Sequence, residues 1–383
     1  LPETLEELVM SRRVVIAVGA GGVGKTTTAA ALGVAAAKRG KRVLCLTIDP
    51  ARRLAEALGL QTMSGEEQKV GAELFAKAGI PMQGSLTAMM LDTKRTFDEL
   101  IVKYSSSPEK AQQLLSNKLY QYVSTSLAGT QEYMAMEKLV AVQADPRFDL
   151  IILDTPPTTN ALDFLDAPAK LADAIDSAAM RWFLTAFESS GKLSLNLLAR
   201  SAAAVLRGLG RITGAGFLQA MAGFISELNE LFGGFKERAK MVEQALRSKE
   251  VSFVLVTSPA PMSIQEVMFF SERLEASGMP RGAFVINRFR LPPPCSDPPP
   301  TVGDAAQALA AHALKLDDDA PERMVRAHSD AVRLAALDAM HVRSLNQRAN
   351  GKVPIVRVPE LASDVHDLSN LALVAETIMT GGV

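Results

Sequence analysis

The residues equipped for chemistry start with Gly19-Ala20-Gly21-Gly22-Val23-Gly24-Lys25-Thr26, a G-x-x-x-x-G-K-T spacing. Its glycines let successive backbone N–H groups turn inward on an anion. That places Gly21, Gly22, Val23, Gly24, Lys25, Thr26 and Thr27 around a polyphosphate. Lys25 then reaches the β- and γ-phosphates, and the Thr26 hydroxyl becomes a ligand for Mg2+. Farther along, Phe148-Asp149-Leu150-Ile151-Ile152-Leu153-Asp154 reads as an apolar strand ending in a carboxylate, which would hold the same ion. Asp49 ends a second apolar run, 43–48, where open α/β sheets place their chemistry. Asp-Pro at 49–50 also suits a helix N-cap, and the two roles are compatible.

Such residues need strands that end together. Apolar runs at 13–18, 43–48, 85–91, 148–154, 251–257, 283–288 and 354–358 supply them, with helical patterns between. The fold class is therefore α/β: a P-loop NTPase with a mostly parallel sheet flanked by helices and an inserted helical subdomain. The chain reads as one P-loop domain, 1–383, with helical insertions at 93–145 and 160–248, and no internal repeat. Within the second insertion Phe217, Met221, Phe224, Leu228, Leu231 and Phe235 recur at helical spacing. That stripe suits a core, and it also suits a groove for a hydrophobic client. Both insertions leave the sheet near the phosphate loop, so a helical lid coupled to the nucleotide is expected. The run Leu291-Pro292-Pro293-Pro294-Cys295 opens an extended surface loop.

Composition sets limits. The 383 residues are 48% hydrophobic and 22% charged with a net charge of -1, and no basic run marks a nucleic-acid partner. Two cysteines, Cys45 and Cys295, cannot form a disulfide framework, which points to a reducing cytoplasm. The acidic start Leu1-Pro2-Glu3-Thr4-Leu5-Glu6-Glu7 lacks the order of a signal peptide. The most membrane-like stretch, 212–226, is too short for a span, so no stable membrane insertion is expected.

Taken together, Gly21-Gly22-Val23-Gly24-Lys25-Thr26-Thr27, Ile48-Asp49-Pro50-Ala51 and Asp154-Thr155-Pro156-Pro157-Thr158 resemble the arsenite-pump (ArsA) ATPase family. That family includes the cytosolic ATPase that delivers tail-anchored membrane proteins. The likeness extends to Leu127-Ala128-Gly129-Thr130-Gln131-Glu132 and Val358-Pro359-Glu360, and it points to the bacterial single-module branch. The resemblance implies hydrolysis of ATP to ADP and phosphate, with Lys25 on the phosphates, Mg2+ held by Thr26 and Asp154, and Asp49 polarising the attacking water. It further implies that Asn287 recognises adenine and that the loop after Pro359 closes over the base. A dimer whose nucleotide state joins two client-binding helical regions completes the picture.

Several positions depart from the family pattern. Ala20 stands where the family carries a lysine that reaches the partner's phosphates. Slow hydrolysis in a homodimer, compensation by Arg52 or Arg53, or a heterodimer with a lysine-bearing paralogue would each follow. Asn160 replaces a histidine, and the zinc-binding Cys-x-x-Cys pair is missing. Arsenite sites need several thiolates, so arsenite is not expected as substrate. A partition or positioning ATPase acting on a cellular surface is the alternative. It calls for a basic C-terminal helix, whereas residues 367–378 contain no Lys or Arg. An iron–sulfur reductase is excluded by the cysteine count, and no acceptor pocket for a metabolic kinase is legible.

Overall fold

Val14–Val18 is apolar throughout and wholly buried, the pattern of a strand covered on both faces. In the computed structural model, which describes residues 3–48, 53–117, 120, 121, 124, 130–155, 240–294, 299–312, 317–365 and 367–382, this strand, β1, lies inside an eight-stranded sheet. The others are β2 (Arg42–Thr47), β3 (Gln68–Lys69), β4 (Ser85–Met90), β5 (Leu150–Asp154), β6 (Val251–Thr257), β7 (Arg281–Phe289) and β8 (Ile355–Pro359). Their order is β3-β4-β2-β5-β1-β6-β7-β8, parallel throughout except for the β3–β4 pair. The expected mostly parallel α/β sheet is thus present. The two-residue β3 was not anticipated, because a short polar edge strand leaves no hydrophobic pattern.

Alternate residues of β1 feed two cores. Val15 and Ala17 pack against the helix Lys25–Lys38, whose run of alanines lets it lie close on the sheet. The helix Leu368–Met379 covers it in turn, burying Leu371, Val374, Ala375 and Ile378. Ile16 and Val18 face the other layer, built from Thr93–Tyr104, Thr130–Gln143, Pro261–Ala276 and Ala320–Arg348. Two of these helices belong to the first expected insertion. They bury Phe97, Leu100, Ile101, Tyr133, Met134 and Met136 in that core.

Local signals explain several boundaries. Asp92 caps the Thr93 helix by accepting from Arg95 N at 2.8 Å, and Ser107 caps Pro108–Ser116. A short helix, Leu5–Ser11, opens the described chain with a Thr4/Glu7 capping box. Of the second insertion, 240–248 is described and is helical over 240–246. The stripe Phe217 to Phe235 lies outside the described residues.

Candidate nucleotide site

All the strands that matter end on one edge, so their terminal residues meet there. The loop leaving β1 crosses directly over β6: a Cβ at Gly19 would stand 2.0 Å from Val256 O. Only glycine fits that approach. The loop closes at Gly24, which has φ +95° and forms the N-cap of the Lys25–Lys38 helix without any side chain on the cap. The helix's first N–H groups are therefore left for a ligand.

Side chains from neighbouring strands gather beneath the loop. Lys25 is almost fully buried, and its Nζ donates to Ala20 O at 2.8 Å. Thr26 Oγ1 donates to Asp154 Oδ2 at 2.8 Å, and Thr47 Oγ1 donates to the same oxygen at 3.0 Å. The register of β2 and β5 brings this about by placing Thr47 beside Asp154. Asp154 is 1% exposed, so its carboxylate is held by hydroxyls in a desolvated place. Thr155 Oγ1 donates to Ala17 O at 2.8 Å, tying the end of β5 back to β1. Cys45, two residues before Thr47, is wholly buried; burial first, and then the nearby Asp154 charge, push its thiol up. Burial of this kind disfavours the thiolate that metal binding would need.

Above the loop lies a cavity of about 750 Å³, within the range that holds a cofactor-sized molecule. Gly22, Gly24, Lys25, Thr26 and Thr27 line one side, and Asn287, Arg288 and Pro359 to Leu361 another. Asn287, near the end of β7, and Pro359, at the end of β8, lie on the opposite side of β1 from Asp154. Arg53 and Glu56 also face the cavity. Asn287 Nδ2 donates to Val23 O at 2.9 Å. Next to it the β7–β8 register shifts between Ile286 and Phe289, and Arg288 takes φ +57°. A left-handed non-glycine residue at a bulge is the kind of local strain that gathers at functional sites.

The profile of the anion-transporting ATPase family matches residues 12–304 of this chain. The chain belongs to that family. It is an ATPase. It is 27% identical over 297 residues to the ATPase GET3 of Malassezia globosa, covering 77% of this chain and 78% of the relative. The ATPase get3 of Schizosaccharomyces japonicus is 30% identical over 61% of this chain and 65% of its own length. An ATPase ASNA1 homolog of Entamoeba dispar is 32% identical over 46% of this chain and 52% of its own length.

Most of the site residues expected in this ATPase from its sequence come together. Gly22, Gly24, Lys25, Thr26, Thr27, Asn287 and Pro359 line one cavity, with Asp154 directly under Thr26. Gly21 is exposed on the same loop, whereas Val23 turns its side chain down into the core. Asp49, Arg52, Asn160 and Cys295 lie outside the described residues. Sequence reasoning assigned no role to Thr47, Thr155, Gln131 or Arg288, although Thr155 and Gln131 stand in the motifs that carry the resemblance. Thr47 carried a signal, being the one hydroxyl in an otherwise apolar run beside the loop. Gln131 Nε2 donates to Ile48 O at 3.0 Å, a contact across 83 positions that no local pattern announces. Among the described residues, no helix is long and apolar enough to cross a membrane.

Proposed function

We propose that this ATPase is a dimeric switch in the cytoplasm, whose nucleotide state sets the arrangement of a helical region that binds a hydrophobic protein segment. The bond from Gln131 to Ile48 O carries the reading. It joins the helix Thr130–Gln143 to the residue immediately before Asp49, so a shift of Asp49 pulls on the helical layer. The expected helical regions, 93–145 and 160–248, are the parts that would respond.

In this proposal the phosphates lie on the loop and the Lys25 ammonium leaves Ala20 O for their oxygens. The hydroxyl of Thr26 and the carboxylate of Asp154, 2.8 Å apart, are hard oxygen donors that fit Mg2+. Bound there, the ion neutralises charge on the transferring phosphoryl group. Asp49 orients and polarises the attacking water, while Pro359 and the residues after it cover the base. ATP enters this scheme as the fuel and ADP as the released state. The thiol of Cys45 stays buried and protonated, which supports a protein client over arsenite. The Leu368–Met379 helix spends its apolar face on the Lys25–Lys38 helix, which leaves little of it for a surface-acting partition role.

The test is solution mass and ATP turnover with ADP and with a non-hydrolysable ATP analogue, for wild type and Ala20→Lys. The analogue should double the mass and ADP should reverse it. If turnover and dimerisation appear only with a paralogue present, the unit is a heterodimer. A mass independent of nucleotide, with or without a paralogue, refutes the switch.

A further inference from the structure

We infer that Arg53 supplies a second cation to the polyphosphate, acting beside Lys25. The inference rests on the reading of Gly19 to Thr26 as the phosphate site and does not depend on dimerisation. Arg53 lines the cavity that Lys25, Thr26 and Thr27 also line, and it is exposed there. Among the described residues no carboxylate pairs with it. Arg290, by contrast, is engaged by Asp338 and Glu360, each at 3.5 Å. A triphosphate carries more negative charge than Mg2+ and Lys25 together offset. An uncommitted guanidinium facing the same space is therefore drawn to the remainder, and its fork of donors suits phosphate oxygens.

The backbone that carries this cation is anchored. Arg53 opens the short helix Arg53–Ala57, in which Leu54, Ala55 and Ala57 are buried while Arg53 and Glu56 stay exposed. Leu54 and Ala57 join the core built on the Lys25–Lys38 helix, so Arg53 is held against the helix that the phosphate loop opens. Its segment leaves β2, whose Thr47 shares Asp154 with Thr26. Arg288, the other arginine lining the cavity, stands near the end of β7 on the opposite side of β1. Arg53 thus approaches from the side of the Thr26–Asp154 pair. Glu56 faces the cavity as well, and an anion arriving along this wall would be repelled by it. The guanidinium one turn earlier is what makes the wall attractive.

The test measures dissociation constants of ATP and of inorganic tripolyphosphate, each with Mg2+, for wild type, Arg53→Gln and Arg53→Lys. Arg53→Gln removes the charge and should weaken both ligands by the same factor, about tenfold for a lost charge-assisted bond. Arg53→Lys keeps the charge and should retain most of the affinity. Raising the salt should narrow the gap between wild type and Arg53→Gln, because the contact lies on an open wall. Both variants should unfold close to the wild-type temperature, since the side chain is exposed. A loss confined to ATP puts Arg53 on the nucleoside and overturns the inference, as do unchanged constants for both ligands. Arg53→Lys binding no better than Arg53→Gln overturns the role of the charge, and early unfolding of Arg53→Gln assigns the residue to the fold instead. Wild type that binds ATP and ignores tripolyphosphate overturns the inference while ATP binding stands. Binding of neither ligand removes the phosphate assignment of the loop, and the inference with it.

Discussion

Replacing Gln131 by alanine tests whether the helical layer is tied to the nucleotide through one hydrogen bond. Gln131 Nε2 reaches Ile48 O at 3.0 Å, and Ile48 is 1% exposed, so water does not readily take the donor's place. Leaving a buried acceptor without its donor costs about 1–3 kcal/mol, several times a typical surface substitution. Gln131→Ala should lower the urea midpoint accordingly with an unchanged slope. Gln131→Glu should cost more near neutral pH, because a carboxylate faces a carbonyl and cannot donate. That extra cost should fade below about pH 5 as the side chain protonates and regains a donor. The functional assay is proteolysis of the helical layer with an ATP analogue and with ADP. Wild type should show two cleavage patterns, and Gln131→Ala should show one. If the variant loses stability yet keeps both patterns, the bond is structural and the coupling runs elsewhere.

Other outcomes follow from single groups. Asp149 accepts from Arg42 Nη2 at 2.6 Å and Nε at 2.9 Å, and the Arg42 side-chain bonds hold its carboxyl down to about 2. A depressed carboxylate contributes stability above its unfolded value and loses it as pH falls toward 2, so acid should erase the difference between wild type and Asp149→Asn. The pair is half exposed, at 51% and 37%, so that difference should stay under about 1 kcal/mol and shrink in salt. Glu137 is 2% exposed and accepts from the Tyr133 hydroxyl; burial pushes its carboxyl up. Stability from a raised carboxyl is greatest at low pH and declines as pH rises through its folded value. Glu137→Gln should therefore unfold at higher urea than wild type in mild alkali and match it in acid. At Arg288, φ +57° penalises any residue with a Cβ, so Arg288→Gly should be more stable than Arg288→Ala by about 1 kcal/mol in thermal unfolding.

The phosphate loop was legible because its constraints are local: Gly19 and Gly24 are required by one close approach each, and Lys25 and Thr26 follow at fixed offsets. Asp154 was legible because an apolar run that ends in an acid survives as a pattern in sequence. The strands were found for the same reason, since β1, β5 and β6 are buried without interruption. What stayed hidden depends on distant pairing. Thr47 joins Asp154 only through the β2–β5 register, and Gln131 meets Ile48 only once a helix is docked on the sheet. Asn287 was visible as a residue, but its bond to Val23 O depends on a bulge that leaves no mark in the amino-acid order.

The two sides of the cavity are built differently, and this bears on where a signal can leave it. On the β6 and β7 side the loop is held by close approach: Gly19 against Val256 O and Gly24 against Asn287. Gly19 leaves no room for a side chain beneath Val256 O, and Asn287 Nδ2 donates to Val23 O, so this wall is closely packed. On the β2 and β5 side it is held through hydroxyls, with Thr26 and Thr47 sharing one oxygen of Asp154. A cation bound by Thr26 and Asp154 must rearrange this hydrogen bonding, since the Thr26 proton now points at the carboxylate. Any such rearrangement would begin beside Ile48, whose N–H donates to Asp154 O at 3.2 Å and whose carbonyl accepts from Gln131. In the proposed switch, a change in nucleotide or cation would reach the Thr130–Gln143 helix through two hydrogen bonds on opposite edges of one residue.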